Sequence, residues 1–198
     1  MENDKLLKKA RNYLKYNQIK IPQKEDIAFL VDSDIIEKLI RIAKIGPRDR
    51  VLEIGPGLGF ITKAIAKKAK HVLGVEINRT FKIYLSNLDN NVDIFFKDIK
   101  KLLQDEVFLA RTKVPTKVVS NIPYSQAQDI LLTFAESKWY KGDLVWIAPT
   151  SFADKINAEP ILSKYFQATV IEKIPNTAFY PVPNTDSAII HFRRLPSS

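Results

Sequence analysis

The sequence predicts an α/β domain built on a mostly parallel, seven-stranded sheet with an antiparallel hairpin at its C-terminal edge. Three observations predict it. Short apolar runs rich in β-branched residues alternate with helix-length segments from about residue 51 to residue 158, the pattern that gives right-handed crossovers and a parallel sheet. The last two such runs have no helix-length segment between them, so they are expected to pair antiparallel. A chain of 198 residues with 45% hydrophobic content can bury one large core.

Residues 4–17 place Leu6, Leu7, Ala10, Tyr13 and Leu14 on one helical face, opposite lysines and Arg11. The stretch is read as a basic N-terminal helix, serving either as an arm on RNA or as a solvated face docked on the core. The proline-broken "QIKIPQKED" follows as a linker, which divides the chain into residues 1–24 and a domain over 25–198. Asp32 or Ser33 can cap a helix carrying Ile35, Ile36, Leu39, Ile40 and Ala43. Strands are then expected at Val51–Ile54, His71–Val75, Val92–Phe96, Lys117–Ser120 and Leu144–Ile147, and finally at Ala168–Ile174 and Ala188–Arg193. Helices are expected at Phe60–Lys70, Thr80–Leu88, Leu102–Ala110, Gln126–Ser137 and Ser151–Ala158. No repeat or low-complexity segment interrupts them.

With no cysteine, disulfides and thiolate metal sites are excluded, and a count of two histidines argues against a histidine-rich metal centre. No metal and no membrane partner is expected. A formal net charge of +9 points to an anionic partner, with nucleic acid the foremost class. Neither a bilayer-length apolar run nor a secretory pattern is found, and a cytoplasmic protein is the expectation.

Parallel sheets bind ligands at the carboxyl ends of their strands, near the point where strand order reverses. The first strand ends in "EIGPGLGFIT", where Gly55, Gly57 and Gly59 let backbone approach a ligand, or serve only tight strand–helix packing. A dinucleotide fingerprint would need a further glycine at Phe60, which disfavours an NAD enzyme. The second strand ends at Glu76, spaced to accept the hydroxyls of a ribose. Asp98 follows the third; it suits an exocyclic amine with Ile77 and Ile99 around the ring, or a helix cap. The fourth ends in "NIPY". Asn121 carries both an acceptor and a donor, Pro123 stiffens the turn, and Tyr124 offers a flat face. These parts suit a planar base with an amino group, although an ordinary turn with a core tyrosine uses the same residues.

"VLEIGPGLGFIT", "VEIN", "KDI", "NIPY" and "FYPVPNTDSAIIHF", with "FLVDSDII" ahead of them, stand in the order found in one family. The chain resembles the rRNA adenine N6,N6-dimethyltransferases of the KsgA type, relatives of the erythromycin-resistance rRNA methylases, over roughly residues 29–195. The resemblance implies a Rossmann-like class I methyltransferase core that uses S-adenosylmethionine to methylate an adenine N6 in RNA, in ribosomal RNA or a small-subunit precursor. It implies cofactor contacts from Leu30, Gly55, Gly57, Glu76, Ile77, Asp98, Ile99 and Asn121. It also implies a target base held by Asn121, the Pro123 carbonyl, Tyr124 and Phe179.

The sequence departs from that pattern at four places. Ile27 and Ala28 stand where the family has polar cofactor contacts, and Pro149, Thr150 and Ser151 where it usually reads Gln-Lys-Glu. The loop "NAEPILSKYF" is short, and the sequence ends at Ser198, so the family's C-terminal helical domain is not expected. Two competing readings follow: a non-catalytic RNA-binding or ribosome-assembly factor on the same fold, and a methyltransferase for a protein amine or amide.

Overall fold

The computed structural model describes residues 2–19 and 27–196. Helix α1 (Glu2–Tyr16) turns Ala10, Tyr13 and Leu14 inward and leaves Lys5, Lys8, Lys9, Arg11 and Lys15 exposed. It is docked rather than free: Tyr13 Oη donates to the Thr80 carbonyl at 2.9 Å, and Asn3 Oδ1 accepts from the Ser33 backbone N–H. Residues 20–26 of the expected linker, and with them the boundary between residues 24 and 25, lie outside the described residues.

Strand β1 (Phe29–Leu30) leads into α2 (Ser33–Ile42), which Asp32 caps by accepting from the N–H groups of Asp34 and Ile35. The alternation then runs β2 (Arg50–Ile54), α3 (Phe60–Ala66), β3 (His71–Val75), α4 (Lys82–Leu85) and β4 (Val92–Phe95). It continues through α5 (Ile99–Leu102), α6 (Glu106–Arg111), β5 (Lys117–Asn121), α7 (Tyr124–Glu136), β6 (Leu144–Pro149) and α8 (Phe152–Ala158). The chain closes with β7 (Phe166–Ile174), β8 (Phe179–Tyr180) and β9 (Ser187–Arg194).

Seven strands form one sheet in the order β4-β3-β2-β5-β6-β9-β7. The first five are parallel, and β9 enters antiparallel between β6 and β7, so the expected mixed sheet is observed. Strand order reverses between β2 and β5, where Ile54 lies opposite Ser120. Successive strand residues face opposite sides, and both sides are covered. Val51 and Val119 pack with Leu39 and Ile65, whereas Leu52, Val118 and Trp146 pack with Ile130, Phe134 and Ile156.

Local chemistry reshapes three expected elements. The helix expected over Leu102–Ala110 is two helices, because Asp98 accepts from Lys100 N–H and Asp105 from Phe108 N–H, each starting a new turn. Asn78 caps Thr80 in the same way, so a 3₁₀ turn at Arg79–Phe81 precedes a shortened α4. The turn-rich "FYPVP" contains β8, which pairs antiparallel with β1, Phe29 against Tyr180 and Leu30 against Phe179.

Candidate active site

The glycine loop after β2 lies where the strand order reverses. Gly55, Gly57 and Gly59 hold φ of +68°, +55° and +69°. A Cβ added to Gly57 would stand 2.9 Å from Phe29 Cε1, so β1 packs directly on the loop backbone. A Cβ on Gly55 would stand 3.3 Å from Ile122 Cγ2, in the turn after β5. The loop is therefore wedged between two walls.

Glu76 follows β3 and is buried. Its Oε2 accepts from Gly57 N–H at 2.9 Å and its Oε1 from Asn78 N–H at 2.8 Å. Burial raises its pKa above the ordinary carboxylate value, while the N–H groups of Asn78, Gly57 and Ile77 oppose the rise. Each carboxylate oxygen keeps a further lone pair for a hydroxyl. Glu53, within β2, is buried as well, and its Oε2 has no hydrogen-bond partner among the described residues. Burial pushes its pKa up to about 8; the neighbouring Thr62 hydroxyl opposes the shift and the Glu76 charge adds to it.

Asn121 ends β5. Its Nδ2 donates to the backbone carbonyl of Ala28 at 3.0 Å. Pro123 caps α7, and its carbonyl accepts from Gln126 N–H at 3.0 Å, with one lone pair remaining. Tyr124 is the first residue of α7, and its hydroxyl lies 2.6 Å from Ser187 Oγ at the start of β9. Asp98 caps α5, its side chain accepting from Lys100 N–H, and it also lines the cavity.

Leu30, Gly55, Gly57, Glu76, Ile77, Asp98, Ile99, Asn121, Pro123, Tyr124 and Phe179 all line one cavity of about 310 Å³. Ile99 is buried, whereas Ile77 is 59% exposed, so the cavity wall opens to solvent on the Ile77 side. Ile27 and Ala28 line the cavity too. At Ala28 the backbone carbonyl, which any residue supplies, makes the contact. Sequence reading did not find Phe29, Phe81 or Lys97, which line the cavity, or the Ser187 anchor. Phe29 and Phe81 form an edge-on aromatic pair, and their apolar context reads as core. Ser187 is 63 residues from Tyr124, with no local signal linking the two. Among the described residues no cluster of metal-ligating side chains occurs.

The family model for ribosomal RNA adenine dimethylase matches residues 20–198. Ribosomal RNA small subunit methyltransferase A of Clostridioides difficile is 34% identical over 180 residues, covering 82% of this chain and 61% of the relative. Its counterpart from Listeria monocytogenes is 32% identical over 182 residues, covering 84% and 62%. The chain thus spans about three fifths of the length of these curated relatives. Among solved structures, the 23S rRNA methyltransferase ErmE superposes with a TM-score of 0.66 at 24% identity, over 85% of this chain and 70% of ErmE. A dimethyladenosine transferase from Plasmodium falciparum gives 0.66 at 23% identity, over 83% and 62%. Both superpositions establish the Rossmann-like methyltransferase fold.

Proposed function

This chain belongs to the ribosomal RNA adenine dimethylase family, and on that premise we propose that it methylates N6 of an adenine in ribosomal RNA with S-adenosylmethionine. The observation that carries this reading is that one cavity is lined both by the glycine loop with Glu76 and by the Asn121–Tyr124 turn. The first set suits a nucleoside cofactor and the second a base with an amino group.

The lining fits the cofactor on physical grounds. Gly55 and Gly57 bring backbone to the cavity wall, Glu76 offers lone pairs to ribose hydroxyls, and Asp98 with Ile77 and Ile99 suits adenine. The Glu76 carboxylate also favours a cationic ligand. When bound, S-adenosylmethionine supplies an electrophilic methyl group.

The protein's task is to make and hold a nucleophile. The lone pair of an adenine N6 is delocalised into the ring. Because Nδ2 of Asn121 faces a carbonyl, which only accepts, Oδ1 is the atom that Asn121 offers to the amino group. Accepting N6–H bonds at Asn121 Oδ1 and the Pro123 carbonyl favours a more tetrahedral, nucleophilic nitrogen. N6 would then take the methyl carbon from the cofactor's sulfur, the S–C bond breaking to leave a neutral thioether, and would shed one proton to solvent. Tyr124 and Phe179 hold the unstacked ring, and positioning supplies much of the rate.

The same reading takes residues 25–198 as the methyltransferase unit and places it with RNA in the cytoplasm. Among the described residues, no helix is long and apolar enough to cross a membrane. Labelled S-adenosylmethionine incubated with unmodified small-subunit ribosomal RNA tests the activity. Label recovered as N6-methylated adenosine is the expected outcome; RNA without label, from protein that binds the cofactor, overturns it.

A further inference from the structure

Beside the cavity lies a second concavity of about 280 Å³, lined by Arg11, Leu14, Lys15, Ile19, Tyr180 and Pro181. Three observations bear on it. First, Arg11 and Lys15 are exposed and one turn apart on α1, so both cations stand on one face. Second, the Arg11 guanidinium sits 5.4 Å above the Tyr180 ring. That stacking holds the guanidinium in place before any ligand arrives and reduces the ordering cost of binding an anion. Third, Tyr180 follows Phe179 in β8, and neighbouring strand residues face opposite ways. Phe179 lines the large cavity and Tyr180 the small one, so β8 is the partition between them.

We propose that this concavity is a phosphate subsite for the RNA strand that flanks the target adenine, with Arg11 and Lys15 binding its backbone. The inference rests on the methyltransferase reading for the identity of the strand. The subsite's two cations precede the family match, which begins at residue 20, whereas Tyr180 and Pro181 lie within it. Tyr13, Leu14 and Asn3 anchor α1 on the core beside β8. A backbone phosphate held there by one bidentate Arg and one Lys gives position without sequence preference. The flipped base then enters on the far side of β8.

The test is fluorescence anisotropy with a labelled single-stranded oligoadenylate RNA, titrated across salt concentrations, for the wild-type chain and R11A/K15A. K67A/K68A removes the same charge from the far end of α3, where both lysines are exposed. Each lost phosphate contact on a single strand lowers the salt slope by about 0.7. R11A/K15A should therefore lose about 0.7–1.4 of slope and at least about fivefold in affinity, with K67A/K68A close to wild type. Melting curves and cofactor calorimetry check that both variants remain folded and bind S-adenosylmethionine. RNA binding unchanged in R11A/K15A, or reduced equally in K67A/K68A, overturns the subsite and leaves the methyltransferase reading intact. Selective loss in R11A/K15A without methyl transfer by the wild type upholds the subsite and overturns the activity. A wild-type chain that binds no RNA overturns the subsite, and the labelled-methyl assay on ribosomal RNA decides the activity separately.

Discussion

Asn121 Nδ2 and the Ala28 carbonyl lie 3.0 Å apart although 93 residues separate them in sequence. This bond fixes which end of the amide is free, and it makes the segment before β1 part of the site. Asn121→Ala removes the acceptor for the amino group as well as the Ala28 tether. Loss of one part-buried hydrogen bond costs about 1 kcal/mol, a fall in Tm of about 2–4 °C in a chain of this size. Methyl transfer should fall by at least about 100-fold, the scale expected for one preorganised polar contact to the reacting group. A variant that melts as expected and retains full transfer excludes the role given to Asn121.

Gly57→Ala tests how tightly the loop is wedged. At φ +55° an L side chain costs about 1–2 kcal/mol, and the new Cβ would press on the Phe29 ring at 2.9 Å. The expected result is a lower melting temperature together with at least about tenfold weaker cofactor binding by calorimetry, since β1 must shift. Gly46→Ala is the control. Its φ is not in the left-handed region, and the nearest atom to an added Cβ is 3.9 Å away. It should leave both readouts within error.

What the sequence showed and what it concealed follow from how each residue is held. Gly55, Gly57, Glu76, Asp98 and Asn121 all stand at the ends of strands, and strand ends can be read from apolar periodicity alone. Their convergence on one cavity follows from the parallel topology. Phe29 and Ser187 act through tertiary contacts, the ring against Gly57 and the hydroxyl against Tyr124. No spacing rule links residues brought together by the order of strands. The β1–β8 ladder was hidden for a related reason: two residues per strand give no periodicity, and the pairing is set by the fold around it.

The Tyr124–Ser187 contact separates two functions of one side chain. Tyr124→Phe keeps the stacking face and loses the hydroxyl that lies 2.6 Å from Ser187 Oγ. It leaves a buried serine short of its partner, at about 1–3 kcal/mol. The ring should wander, so kcat should drop several-fold with cofactor affinity unchanged, whereas Tyr124→Ala should abolish transfer. Ser187→Ala should match Tyr124→Phe, and the double variant should add little to either. Additive effects in that double-mutant cycle would mean that the hydroxyl does not position the ring.

Glu53 makes the stability of the fold depend on pH in a direction opposite to that of most carboxylates. Its carboxyl, fully buried within β2, is pushed up to about 8, against a reference of 4.5. The folded state thus favours the protonated form, while the unfolded chain releases its proton near the reference value. The contribution of Glu53 to stability is fully present below about pH 4.5 and is lost progressively as pH rises to about 8. Glu53→Gln keeps a neutral, donor-bearing side chain of the same shape and removes the titration. One pKa unit corresponds to about 1.4 kcal/mol. The melting temperature of the wild type should therefore fall relative to that of Glu53→Gln between pH 5 and 8, by at least about 2–4 °C. Calorimetric melts of the two proteins across that range measure the difference directly, and titrating groups that do not interact with Glu53 cancel between them. A constant offset with pH would show that Glu53 is ionised in the fold at neutral pH.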